Sequence, residues 1–374
     1  MPERVDVVVI GAGVIGLAIA QELSRERQVV VLERHGSYGR ENSSHNSGII
    51  HAGIYYPRDW LKTQLCIEGN RLLYQWAEEH GVRAKRTGKL IIASERAELP
   101  ELELLYESAR AGGVPDMSMC SAAQVRELEP HVEAVAAVYS GSTGVIDQME
   151  LMGSYRAAAE ANGALIAFKH TVTSLARRDG GFAIEALDPE GGGFAIEASV
   201  LVNSAGLAAD RIASLLGYPL DGDGSTPRLR QRIVKGRYSD IVAPEKARLV
   251  TRPVYPLPQG DRAGLGTHVT VDIDAGVHLG PDTEWLDERA TLEFRSDDTR
   301  RSEFVAAARR YLPWLEADDV APGQVGYRTK LHDPGGGPAD FLIWHDAGYV
   351  HMGGIESPGM TASLAIAKRV ARLF

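Results

Sequence analysis

The chain has 374 residues, 44% of them hydrophobic and 24% charged, and a formal net charge of −10. That length exceeds one average core and predicts two domains. The acidic balance argues against a nucleic-acid partner, and no apolar run reaches the ~20 residues of a membrane-spanning helix. Two cysteines, Cys66 and Cys120, are too few for a disulfide framework or a zinc site, so no metal centre is expected.

Taken in chain order, Arg4–Ile10 is a valine-rich strand, Val14–Arg25 a helix and Gln28–Leu32 a second strand ending in Glu33. This is a β-α-β unit of about 30 residues. A polar, glycine-containing loop, Gly36–Asn46, follows. Helical spacing then predicts helices over Leu61–His80, Leu99–Ala111, Ala122–Glu129 and Gln148–Asn162. Strands are expected at Thr171–Arg177, Phe182–Leu187 and Phe194–Ala198, the last two forming a hairpin around a repeated Phe-Ala-Ile-Glu-Ala. A buried strand, Val200–Gly206, leads into a helix over Ala208–Leu216. From Gly217 the texture changes to prolines, aromatics and short strands at Arg228–Gly236, Arg248–Leu257, Gly264–Ile273 and Val277–Pro281. A helix over Arg301–Tyr311, strands at Phe341–His345 and Tyr349–Met352, and a closing helix over Thr361–Leu373 complete the chain. The expected class is α/β (α+β overall), a Rossmann-like domain combined with an antiparallel-sheet domain.

The first chemistry-bearing motif is Gly11-x-Gly13-x-x-Gly16, between the first strand and first helix. Gly11 permits a tight turn, Gly13 a close approach of a pyrophosphate, and Gly16 close packing of helix on strand. The helix N-terminus offers free N–H groups to phosphates. Glu33 stands where a carboxylate accepts hydrogen bonds from a ribose 2′-OH, and it would repel the 2′-phosphate of NADP. Val200–Gly206 supplies a second backbone approach. At the other end of the chain, Gly353–Thr361 opens the last helix, whose N-terminus favours the negative charge of a reduced flavin. This return to the cradle points to FAD instead of NAD. Expected cofactor contacts are Gly11, Gly13, Val14, Ile15, Gly16, Glu33 and Arg34, then Ser44, His45, Asn46, Ser47 and Gly48, then Val172, Ala205 and Gly206. The closing turn adds Gly354, Ile355, Glu356, Ser357, Pro358, Gly359, Met360 and Thr361. His51, in the small-residue stretch His45–Tyr56, reads either as a general base on an alcohol or as a structural histidine bonded to backbone.

The stretches His45–Tyr56, Trp60-Leu61-Lys62-Thr63-Gln64-Leu65-Cys66, Tyr255-Pro256-Leu257-Pro258, Leu265–Thr270 and Val277–Pro281 occur in order along the chain. Through them the chain resembles the FAD-dependent oxidoreductases of the D-amino-acid-oxidase superfamily, and within it most the L-2-hydroxyglutarate dehydrogenase/oxidase group. Two places depart from that group. Gly326-Tyr327-Arg328-Thr329-Lys330-Leu331 stands where it carries a Val-Arg-Ala-Gln run, and Gly354–Gly359 replaces an Asn-Ala-Pro-Ser-Pro-Ala-like turn.

The resemblance implies non-covalent FAD and oxidation of a small 2-hydroxy acid to the 2-oxo acid by hydride transfer to flavin N5. The alternative is an amino-acid or amine oxidase of the same superfamily. In the first reading His51 takes the hydroxyl proton and Arg328 clamps the α-carboxylate, as Gly-x-Arg does in amino-acid oxidases. Tyr255 hydrogen-bonds the substrate, while Lys62, Lys330 and His268 are candidates for a second cation. The implied organisation is an FAD-binding domain from 1–80, 140–216 and 335–374, and a substrate domain from 81–139 and 217–334. The partner is a small carboxylate; O₂, a quinone or a protein remain open as electron acceptor. A cytoplasmic location is expected, peripheral to the membrane if the acceptor is a quinone.

Overall fold

A computed structural model describes residues 3–257, 267–287 and 290–374. Its first sheet has eight strands, centred on Glu3–Ile10. That strand pairs in parallel with Val29–Glu33 on one side and Gly193–Asn203 on the other. Leu165–Phe168 extends one edge, and the antiparallel strands Thr171–Arg178 and Gly181–Leu187 extend the other. Tyr349–Gly353 joins in parallel beside Leu201–Asn203, bringing the end of the chain back to its beginning.

The valine runs divide by parity, as side chains of a strand must. Val7, Val9, Val29, Val31, Val200 and Val202 face helices Val14–Leu23, Leu61–His80, Gln148–Ala161 and Gly359–Ala371. Val8, Ile10, Val30, Leu32 and Leu201 face the other way, against Phe182, Ile184 and Tyr349.

The second sheet has nine strands and is almost wholly antiparallel. It runs from Met117–Ser121 through Ala136–Ser140, Lys89–Ala93, Val254–Pro256, His268–Val271 and Val277–Gly280 to Arg232–Ile241. Val320–Lys330 pairs along the far side of Arg232–Ile241. One face is covered by the helix Arg301–Ala308, with Leu90, Ile92, Val269, Val271 and Leu279 packed against Phe304 and Leu312. The opposite face carries Tyr238, Tyr255, His268 and Arg328, which look into the cavity described below.

Several elements differ from expectation. Phe194–Ala198 and Val200–Asn203 form one strand, Gly193–Asn203, because its first half pairs with Gly181–Leu187 and its second with Tyr349–Gly353. The strand expected at Arg228–Gly236 lies at Arg232–Ile241, where its partner strand runs, and Arg248–Leu257 contributes only Val254–Pro256. Of Gly264–Ile273, His268–Val271 is strand, while Gly264, Leu265 and Gly266 lie outside the described residues, as does Pro258. The closing helix starts at Gly359, two residues before Thr361.

Candidate active site

A cavity of about 730 Å³ lies between the two sheets. It runs from the Gly11–Ile15 turn, past the Asn42–Ser47 loop, to His51, Tyr255, His268 and Arg328.

At the first end the glycines are dictated by space. A Cβ on Gly11, at φ +101°, would meet the Ser204 carbonyl oxygen at 2.7 Å. One on Gly16 would lie 2.0 Å from the Gly11 carbonyl oxygen, so Gly16 serves packing and does not line the cavity. Gly13 is the extended N-cap of the first helix and makes no side-chain cap. The Val14 N–H donates to Ser43 Oγ at 3.0 Å. Glu33 is buried, and its two oxygens accept the Ala12 and His35 N–H groups, each at 2.8 Å. These bonds fix the carboxylate while leaving lone pairs for further donors. Arg34 also lines this end and pairs with Glu41. Val172, Ala205 and Gly206 form the opposing wall.

His45, Asn46 and Ser47 line the middle of the cavity. Ser44, Gly48 and Gly354 do not. Ser44 Oγ sits 2.9 Å from His45 Nδ1, the Gly48 N–H donates to Asn46 Oδ1, and the Gly354 N–H donates to Gln231 Oε1. They hold the loops that reach the cavity. Ile355, Glu356, Ser357, Pro358, Gly359, Met360 and Thr361 line it directly. Thr361 Oγ1 accepts the His51 N–H at 3.0 Å, tying the His51 segment to the first turn of the closing helix.

His51 Nε2 lies 3.2 Å from Ser357 Oγ. Burial, reinforced by Lys89, His268 and Arg328, holds the imidazole well below its ordinary proton affinity, so it is neutral at pH 7. The Arg328 guanidinium faces the cavity and makes no hydrogen bond or ion pair with a described residue. Tyr255 and His268 stack face to face, with ring centroids 3.7 Å apart and planes within 7°.

Lys62 and Lys330 do not line the cavity, which corrects their reading as substrate cations. Both amines are spent on Glu356: Lys62 Nζ lies 2.9 Å from Oε1 and Lys330 Nζ 2.8 Å from Oε2. Burial would push the Glu356 carboxyl up, yet Lys62, Lys330 and Arg328 hold it at about 2. Cys66 is fully buried, away from the cavity, and burial pushes its thiol up to about 12. Among the described residues no cluster of side chains is arranged to hold a metal ion.

Sequence reasoning missed Ser43, Gln231 and Tyr238. Ser43 shares a polar loop with predicted contacts and was within reach of the motif argument. Gln231 and Tyr238 carry no local signal: pairing of the strand Arg232–Ile241 brings Tyr238 here, and Gln231, just before it, is held by Gly206 and Gly354.

The sequence model of the family described as "FAD dependent oxidoreductase" (DAO) matches residues 6–373. A relative named L-2-hydroxyglutarate dehydrogenase, mitochondrial, from Arabidopsis thaliana is 35% identical, over 100% of this chain and 84% of its own. The human protein of that name is 28% identical, over 98% of this chain and 88% of its own. Among solved structures, the fold is similar to FAD-bound L-alpha-glycerophosphate oxidase from Mycoplasma pneumoniae. That similarity has a TM-score of 0.86 and 26% identity, over 99% of this chain and 94% of that one. L-proline dehydrogenase from P. horikoshii has a TM-score of 0.81 at 20% identity, over 100% and 94%, and shares the fold. The chain therefore belongs to the DAO family of FAD-dependent oxidoreductases.

Proposed function

We propose that this enzyme oxidises a small 2-hydroxy acid of the L-2-hydroxyglutarate type to the 2-oxo acid, with the first sheet carrying the cofactor and the second roofing the substrate. The observation that carries this reading is a guanidinium, Arg328, with no ion-pair partner among the described residues, in the same cavity as a neutral imidazole, His51. A half-buried cation without an ion-pair partner among the described residues is costly unless a ligand completes it. The names of the relatives support the same substrate class.

The cradle fits FAD, because Gly11 and Gly13 line the cavity with bare backbone at the N-terminus of the first helix and Glu33 is fixed to accept hydroxyl donors. Gly11, Gly13, Val14 and Glu33 would hold the adenosine and pyrophosphate end, and Ile355–Thr361 the ring end. Cys66, buried away from the cavity, is not placed to form a thioether to the cofactor, in keeping with non-covalent binding. When bound, FAD supplies an acceptor for the hydride that leaves Cα.

The remaining work falls to this chain's side chains. Arg328 offers a planar fork to the α-carboxylate, fixing the substrate in orientation. Neutral His51 accepts the hydroxyl proton at a ring nitrogen. Ser357, 3.2 Å from Nε2, and Thr361, bonded to the backbone N–H, hold that ring in place. The Tyr255 hydroxyl stays protonated, since burial raises its affinity, and so it can donate to the substrate. The test is anaerobic mixing with a panel of 2-hydroxy and 2-amino acids. Bleaching of the flavin absorbance by L-2-hydroxyglutarate above the rest is expected, whereas bleaching by amines alone would refute the proposal.

A further inference from the structure

Lys89 is a buried cation for which the chemistry above has no use. It opens the strand Lys89–Ala93, whose Leu90 and Ile92 face the core beneath the second sheet. Ile91 and Ala93 face the other way, toward Ala52, Ile54 and Leu257. Parity puts Lys89 on that second face, with Tyr255 and His268. The strand order is Lys89–Ala93, Val254–Pro256, His268–Val271, so the Tyr255 ring stands between the lysine and His268. The ammonium lies 4.6 Å from the Tyr255 ring centroid and 4.8 Å from that of Tyr55. Lys89 is 1% exposed and makes no ion pair or side-chain hydrogen bond with a described residue.

Among the described residues no negative group pairs with this charge. From the helix Leu61–His80 it faces the Cys66 thiol, and from its two flanks the tyrosine hydroxyls; all three hold their protons more tightly than usual. Two aromatic faces offset part of the cost of burial. Burial still brings the lysine down to about 7, so it is charged in the acid range where a histidine would take up a proton. Around His51 the facing groups are Lys89, His268 and Arg328 from the second sheet, and the neutral Asn70, Ser357 and Thr361 from the helix side.

We propose that Lys89 is a positioning residue: its ammonium, which pairs with no described carboxylate and is held between the Tyr55 and Tyr255 rings, keeps His51 free of a proton until an anionic substrate enters. This rests on His51 being the base. An imidazolium beside an ammonium and a guanidinium is disfavoured by like-charge repulsion. A carboxylate settling on Arg328 cancels one of those cations. The proton leaving the substrate hydroxyl then meets a site that tolerates it.

The test uses FAD-loaded protein with ¹⁵N-labelled histidine, wild type against Lys89→Met, titrated by NMR. The His51 ring signal is identified by its loss in His51→Gln. The His51 midpoint should move to higher pH in Lys89→Met and return in Lys89→Arg, which keeps the charge. In parallel, between about pH 8 and about pH 5.5, Lys89→Met should lose about tenfold more of its anaerobic reduction rate than wild type. An unmoved midpoint in a variant of normal FAD content overturns the proposal. So does loss of FAD from both Lys89→Met and Lys89→Gln with rescue by Lys89→Arg, which would make the ammonium a folding element. If the midpoint moves but His51→Gln reduces as fast as wild type, the base assignment fails and the coupling of Lys89 to the imidazole stands.

Discussion

Arg328 can be separated into its charge and its shape. Arg328→Lys keeps the cation but loses the planar two-pronged donor set. The native guanidinium has no described hydrogen-bond or ion-pair partner; the nearby Glu356, shared with two lysines, offsets part of its desolvation, and an arriving carboxylate would complete it. Losing that charge-assisted fork is expected to cost roughly 2–4 kcal/mol of transition-state stabilisation, about 30- to 1000-fold in kcat/KM. Arg328→Met removes the charge as well, yet orphans no protein carboxylate, because Lys62 and Lys330 still hold Glu356. Its Tm should therefore equal or exceed that of wild type, as expected when a residue is kept for ligand binding at the expense of stability. The assays are stopped-flow flavin reduction under anaerobic conditions and thermal melting followed by flavin fluorescence. Unchanged kcat/KM in Arg328→Lys, or a Tm several degrees lower in Arg328→Met, would show that this guanidinium holds the protein and not the substrate.

Three further outcomes are expected. Glu356→Gln leaves two buried ammonium groups without a carboxylate and should cost about 3–5 kcal/mol of stability, read by denaturant titration. Because the Glu356 carboxyl is held at about 2, below its ordinary 4.5, its contribution is fully present above pH 4.5 and fades as pH falls toward 2. An acid-melting curve of wild type with no steeper loss than the variant over that window would contradict this. His51→Ala should slow anaerobic reduction by ~10²–10⁴-fold. Since burial lowers the His51 proton affinity, the wild-type rate should hold through pH 6.5 and fall only below it, which a pH–rate profile checks. Acid precipitation should release a yellow supernatant, since Cys66 is buried away from the cavity; flavin retained in the pellet would disprove non-covalent binding.

Local patterns were reliable wherever the cause of the structure is local. The Gly11–Gly16 turn was legible because each glycine answers a steric demand within a few residues or at one neighbouring strand. The helix Leu61–His80 has the expected bounds, although its start has no cap of its own. Asp340, far along the chain, accepts the Leu61 and Lys62 N–H groups at 2.6 and 2.9 Å. The strand Val320–Lys330 escaped notice because Pro322, Gly323 and Gly326 read as breakers. Pairing with Arg232–Ile241 overrides them, and the register shifts between Arg237 and Ser239, the latter opposite Pro322.

The charges divide along the same line. Cofactor class was readable in linear order, since a nucleotide cradle is built from backbone turns and helix ends that short motifs encode. Which cations lack a carboxylate among the described residues was not readable. Lys62 and Lys330 read as candidate substrate cations, yet Lys62 meets Glu356 from 294 positions away, and Lys330 joins it there. Lys89 carries no local signal, yet the sheet sets it against Tyr255, paired with no described carboxylate. Pairing of buried charges depends on distances of a few ångströms across separate strands and helices, and only the folded packing sets those distances.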